Sequence, residues 1–335
     1  MEVNVSKEHV LEEAISTVEE TEAKCEQQWC AVATVIFLAA VFVSGVVGNT
    51  IVLRVMFSVR SKSSTDIFVM FLSCSDLLTI LSNIPVHLIQ EFKQWSTLGS
   101  DLGCKIHFFI YVMTFTSSGM FFAFIGLDRY LKIFHTQKRN LLNRHPITTS
   151  YLVLLATSLT AGVRSTLTGN DEHHICQFNV KNSSLSGLHT FINGLVFMFS
   201  ATVICVAYWR IVLHMRSAVH PVGVSTISAQ TKNTRSTLNP RNAKVLSSSR
   251  ALAFMSLMFL MCTIIPSVLS AIIFASSLYL SRTGGIAAYT LSRMYYINVC
   301  INPYIYFRMN SEFRERANDL LLVKMITSLY HSSVK

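Results

Sequence analysis

Seven stretches of this chain are apolar and long enough to cross the roughly 30 Å of hydrocarbon in a bilayer. They lie at 31–57, 66–89, 104–134, 149–167, 189–213, 251–279 and 285–307. A chain so patterned has few solutions, because in lipid every backbone polar group must be satisfied internally; long helices packed as a bundle do this. The sequence therefore predicts an all-α membrane protein, a bundle of seven transmembrane helices. Composition agrees: 51% of residues are hydrophobic and only 14% charged, against about 25% charged in soluble domains.

Orientation follows from the cations, since Lys and Arg flanking a span are retained in the cytosol. Arg60 and Lys62 follow span one, Lys132, Lys138, Arg139 and Arg144 follow span three, and Arg308, Arg314 and Arg316 follow span seven. Arg216, Lys232, Arg235, Arg241, Lys244 and Arg250 separate spans five and six. The opposite loops carry few cations, and residues 1–30 are rich in Glu. These signals predict a plasma-membrane protein with an extracellular acidic tail over 1–30 and no cleavable leader. The helical domain covers 31–310, and a short cytoplasmic tail, 311–335, starts with an amphipathic eighth helix near Ser311 to Leu322. The Ser- and Thr-rich segment 214–250 is expected to be a mobile intracellular loop and a kinase substrate. The net charge of +10 could suit nucleic acid, but cations confined to loops between spans argue against that partner.

Cys104 at the start of span three and Cys176 between spans four and five fall on the oxidising side. A disulfide between them would roof any cavity below; two free thiols are the alternative, and their position at span ends favours the bridge. Cys25 and Cys30 are a further outer pair. Asn4-Val5-Ser6 and Asn182-Ser183-Ser184 match the glycosylation pattern on that same side. Cys74, Cys205, Cys262 and Cys300 lie inside spans as packing residues.

An ionisable side chain at membrane depth marks function by default. Asp76 lies mid-span, with Asn49, Ser118, Asn298 and Asn302 at comparable depth on other spans. Carboxylate, hydroxyl and amide oxygens together suit a small hard cation, so an allosteric sodium ion is the one metal this cluster suggests; a hydrogen-bonded structural Asp is the alternative. At the cytosolic end of span three stands Asp128-Arg129-Tyr130. Neighbours in sequence cannot fully face each other on a helix, so Arg129 can exchange partners, as a two-state element requires. Pro266 kinks span six, and Pro303, in Asn302-Pro303-Tyr304-Ile305-Tyr306, kinks span seven.

With Gly48-Asn49, Leu72, Asp76, Trp95 before Cys104, Asp128-Arg129-Tyr130, Tyr208, Pro266 and Asn302-Pro303 with Tyr306, the chain resembles the rhodopsin-like (class A) G-protein-coupled receptors over about 31–322. Gly126 to Ile133 and Pro85 look like the purinergic and related lipid-receptor branch. The resemblance implies a ligand-operated switch that promotes nucleotide exchange on a heterotrimeric G protein, with arrestin, receptor kinases and membrane lipids as further partners, and no enzyme activity of its own. Arg129 would leave Asp128 on activation, Tyr208 and Tyr306 would move toward it, and the Asp76 pocket would collapse. Ile264 replaces the family's Trp beside the span-six proline and Leu260 the Phe one turn below, so the aromatic toggle is absent. That loss raises two further expectations, constitutive activity and a decoy or scaffold that binds ligand without signalling.

Tyr111 stands where amine receptors keep an aspartate, which disfavours monoamines. His87, His107, Arg164 and Arg293, with Tyr111, are the candidate ligand pocket: cations above an apolar cavity, suited to an anionic lipid or a nucleotide-like molecule. Span seven offers no lysine for a retinal Schiff base, and no internal repeat suggests a transporter.

Overall fold

The computed structural model describes residues 2–92, 101–134, 141–170, 176–178, 183–219, 240–275, 291, 293–311 and 313–319. Helix α1 runs Glu2–Ser58. No Gly or Pro occurs before Gly45, and residues such as Glu and Ala propagate a helix readily. Residues 1–30, expected as an acidic extracellular tail, continue the helix of the first span from Glu2 without a break. Helix α2, Ser64–Phe92, opens with a capping box: Asp66 Oδ2 accepts bonds from the Ser63 backbone N–H at 2.9 Å and the Ser63 hydroxyl at 2.8 Å.

Helix α3 covers Asp101–Phe134, the single turn α4 Leu141–Arg144, and α5 Pro146–Thr166. Pro146 sits in the first turn of α5, where a missing N–H costs nothing. Two short strands follow, β1 Thr168–Asn170 and β2 Cys176–Phe178. They pair antiparallel with Gly169 opposite Gln177 and lie against α3. Helix α6 is Ser183–Val219, α7 Pro240–Ala275 and α8 Tyr295–Met309. Residues 313–319 form a further helical stretch, the described part of the expected eighth helix.

Among the described residues, six helices contain a segment long and apolar enough to cross a membrane: Ala31–Ser58, Ser64–Ile89, Asp101–Phe134, Pro146–Thr166, Phe191–His214 and Ser249–Leu269. The seventh expected span is represented by α8; most of its first turns lie outside the described residues. Both ends of the segment 214–250, expected as a mobile loop, are helical, since α6 extends to Val219 and α7 begins at Pro240. Ser249, one of its expected phosphorylation sites, is buried in α7. Residues 220–239 lie outside the described set, as do Trp95, Asn182 and the side chains of Asn4, Cys25 and Cys30.

Helix α3 is the hub, in contact with α2, α5, α6 and α7, while α8 packs on α1 and α7. One buried cluster, including Leu72, Phe121, Phe122, Met255 and Phe259, fills the bundle toward Asp128. A second, including Leu38, Ile80, Ile84, Tyr295 and Tyr296, fills it toward Cys104. Large apolar side chains such as Ile36, Tyr151, Leu159, Phe191 and Trp209 point outward, which is favourable only if the surroundings are themselves apolar.

Candidate functional site

The site has three levels along α3. At the first, Asp128 is fully buried. Its Oδ1 accepts a hydrogen bond from the Ser64 hydroxyl at 2.6 Å. Its Oδ2 accepts from the Thr65 hydroxyl and from Lys132 Nζ at 2.8 Å. Lys132 Nζ also donates to Thr65 Oγ1 at 3.1 Å. Both carboxylate oxygens of Asp128 thus meet Lys132 or the start of α2. Lys132 can reach because residues i and i+4 share a helical face. The i to i+4 spacing of Asp128 and Lys132 was a readable signal for this pair; nothing local in the sequence points to Ser64 and Thr65.

Arg129 is 9% exposed, within electrostatic reach of Tyr208, whose hydroxyl faces Ser256 of α7. The ring of Tyr208 lies over Gly126, where a β-carbon would stand 3.4 Å from it. Tyr130 packs on Phe134 at 4.7 Å between centroids. Tyr306 is buried and meets Phe313 edge-on at 4.8 Å, so the expected switch tyrosine is held against the stretch after α8. Pro266 lies inside α7 and Pro303 inside α8.

At mid-depth, Asp76 is fully buried and its Oδ2 accepts from Asn302 Nδ2 at 3.1 Å. Asn49 Nδ2 donates to the carbonyls of Gly45 at 3.0 Å and Val299 at 3.1 Å, which ties α1 to α8. That leaves Asn49 Oδ1, Asp76 Oδ1, Ser118 Oγ, Asn298 Oδ1 and Asn302 Oδ1, all buried and without a hydrogen-bond partner among the described residues. Buried polar atoms are nearly always satisfied, so five unpartnered oxygens fit a hard cation with its water. Sequence reading missed Tyr295, which is 4% exposed and turns its hydroxyl toward Thr79 and Ser118. Residues 295, 298 and 302 share one helical face, which was the available signal.

At the Cys104 end, a cavity of about 250 Å³ opens between α3, α5 and α6, with Tyr111, Phe115, Arg164, His189, Asn193 and Phe197 in its wall. The His189 ring Nε2 lies 2.9 Å from the Thr160 carbonyl oxygen. The expected pocket residues divide here. Tyr111 and Arg164 line this cavity. His87, His107 and Arg293 gather beside it, between α2, α3 and the approach to α8, with Tyr111 within electrostatic reach of both Arg164 and Arg293: the two imidazoles stand edge-on at 5.6 Å, and Arg293 Nη2 lies 3.8 Å from Glu91 Oε1. The charge of Arg293 is thus already faced by an acid that the sequence did not single out. Burial pushes the Glu91 carboxyl upward from its usual range, against the opposing pull of Arg293. Cys104 is disulfide-bonded, whereas Cys74, Cys205, Cys262 and Cys300 are free.

Aromatic rings link the levels. Phe115 stacks with Phe197 at 6.3 Å, Phe197 meets Phe259 at 6.2 Å, and Phe259 stacks with Phe122 at 4.9 Å. The toggle expected to be missing at 260 and 264 has an aromatic neighbour in Phe259, fully buried at the centre of the bundle.

A bundle with a buried mid-depth carboxylate, Asp-Arg-Tyr near the end of α3 and Asn-Pro inside α8 defines a membrane receptor class. The family model described as 7 transmembrane receptor (rhodopsin family) matches residues 48–306, and the chain belongs to that family. It is 25% identical to galanin receptor type 2 of Mus musculus over 85% of this chain and 75% of that one. It is 26% identical to the probable G-protein coupled receptor 34 of Mus musculus, over 85% and 76%. A shorter match, 34% identical over 34% of the chain and 33% of the relative, is to C-C chemokine receptor type 8 of Mus musculus. None of these names refers to a purine or a lipid.

Proposed function

We propose that this chain is a plasma-membrane receptor whose Cys104 end faces outward, binds an extracellular ligand, and activates heterotrimeric G proteins at its Asp128 end. The observation that carries the reading is the occupancy of Asp128. Ser64, Thr65 and Lys132 fix the Asp128 carboxylate against α2, so a change in α2–α3 packing alters the charge that the neighbouring Arg129 meets. A ligand acts only through its difference in affinity between two states, and the Phe115, Phe197, Phe259 and Phe122 rings are the packed route by which cavity occupancy reaches α7.

The cavity favours a ligand with an apolar body and one anionic group, seated near Arg164 and the Tyr111 hydroxyl; an anionic lipid or nucleotide-like molecule fits that description. Asp76, Asn49, Ser118, Asn298 and Asn302 would hold a sodium ion, which supplies charge compensation in the inactive state. Cys104 pairs with Cys176, Asn4 and Asn182 carry glycans, and kinases and arrestin act on the cytoplasmic segments.

The deciding experiment is nucleotide exchange on a panel of purified G proteins in lipid nanodiscs, with wild type and Arg129→Ala, before any ligand is added. Exchange above background in wild type and its loss in the variant is the expected result, and it would include constitutive activity. Background exchange by both forms, persisting with every ligand tried, leaves the decoy reading.

A further inference from the structure

Apart from the cavity, the Cys104 end holds a second concentration of ionisable groups. Glu91 lies two residues beyond the α2 span, which ends at Ile89, and its side chain is 8% exposed; Arg293, before α8, is 12% exposed. Glu91 Oε1 and Arg293 Nη2 stand 3.8 Å apart, an ion pair that joins α2 to the approach to α8. Glu91 Oε1, His107 Nδ1 and the Tyr296 hydroxyl are buried and have no hydrogen-bond partner among the described residues. The groups facing this pair come from each packed element: His87 from α2, which meets His107 of α3 and Tyr296 of α8, each at 5.6 Å, and Tyr111 of α3, within reach of Arg293.

We propose that this cluster is a proton-binding effector site, in which Glu91 takes up a proton from the outer solution and thereby shifts the receptor between conformations independently of any ligand in the cavity. At neutral pH the pair sums to zero charge and draws α2 toward α8. Protonating Glu91 removes the negative charge that faces Arg293. Acid thus leaves the Arg293 charge uncompensated between α2, α3 and α8 and favours the arrangement in which they stand apart. The raised affinity of the buried Glu91 carboxyl for its proton brings this closer to physiological acidity than an exposed Glu would be.

The test compares wild type, Glu91→Gln and His107→Phe as full chains in nanodiscs between about pH 7.5 and about pH 5.5. Two readouts are used. One is basal nucleotide exchange on G protein. The other is dipolar broadening between nitroxides at Ile89→Cys and Leu291→Cys, with Cys74 and Cys205 replaced by alanine. Wild type should change in the spin-label distance as pH falls, with a population shift of about tenfold per unit of pKa difference between the two states. Glu91→Gln should hold the acid-state distance throughout, whereas His107→Phe, which leaves the Glu91 carboxyl in place, should keep a wild-type pH response. Parallel pH profiles for wild type and Glu91→Gln, or a wild-type distance that ignores pH, overturn the proposal. The spin-label readout needs no G protein, so failure of exchange alone counts against the proposed coupling and not against the proton site.

Discussion

Pro303 of α8 lies so close to Gly48 of α1 that a β-carbon at residue 48 would stand 2.9 Å from the proline Cβ. The next residue, Asn49, donates across the same contact to the Val299 carbonyl. Glycine permits the approach and asparagine fastens it, so the two adjacent residues form one α1–α8 joint.

Gly48→Ala should therefore destabilise the receptor. Overpacking against a rigid ring costs about 1–3 kcal/mol, offset by about 1 kcal/mol of helix propensity, and Gly48→Val should cost more. Thermal unfolding of the purified protein checks this; a variant that melts at or above the wild-type temperature would show that the joint gives way freely.

Lys132 shares a buried carboxylate with α2. Lys132→Met should strengthen the attraction of Asp128 for Arg129 and lower basal nucleotide exchange. Hydrogen bonds to charged groups contribute about 1.5–3 kcal/mol, so a drop of roughly tenfold is expected. Unchanged or raised basal exchange, at equal surface expression, would show that Lys132 does not set the position of Arg129.

The unpartnered oxygens around Asp76 predict a response to sodium. Replacing sodium by choline at constant ionic strength should lower the melting temperature of wild type by a few degrees, as expected for loss of a ligand bound to the folded state. Asp76→Asn should erase that difference. The sodium assignment fails if the asparagine variant remains as sodium-sensitive as wild type.

Phe259 touches both Phe197 in the cavity wall and Phe122 in the core. Phe259→Leu should fold, at a cost smaller than the about 3–5 kcal/mol of truncation to alanine, yet reduce ligand-stimulated exchange several-fold more than basal exchange. Equal losses in the two activities would reduce the ring to simple packing.

Much of the architecture was legible because membrane helices are written in length and polarity. The spans, the place of Pro266 and Pro303 inside helices, and the burial of Asp76 and Asn302 all follow from patterns within single segments. What escaped depended on contacts between segments far apart in the chain. Ser64 and Thr65 meet Asp128 across more than sixty positions, and no local period announces that. Glu91 reads as an ordinary charge at the end of a span until Arg293 stands beside it. Phe259 is hidden in the sequence by its neighbours at 260 and 264, and only the rotation of α7 shows which of them turns inward.

The floor of the cavity and the roof of the mid-depth cluster are parts of one aromatic layer. Phe115 lines the cavity, and 5.0 Å away Tyr295 hangs its hydroxyl over Ser118. Anything that presses on Phe115 from above must tilt the lid of the compartment below. Occupants of the two compartments would then compete through a shared partition without ever touching, and each should weaken the other's hold by the same factor.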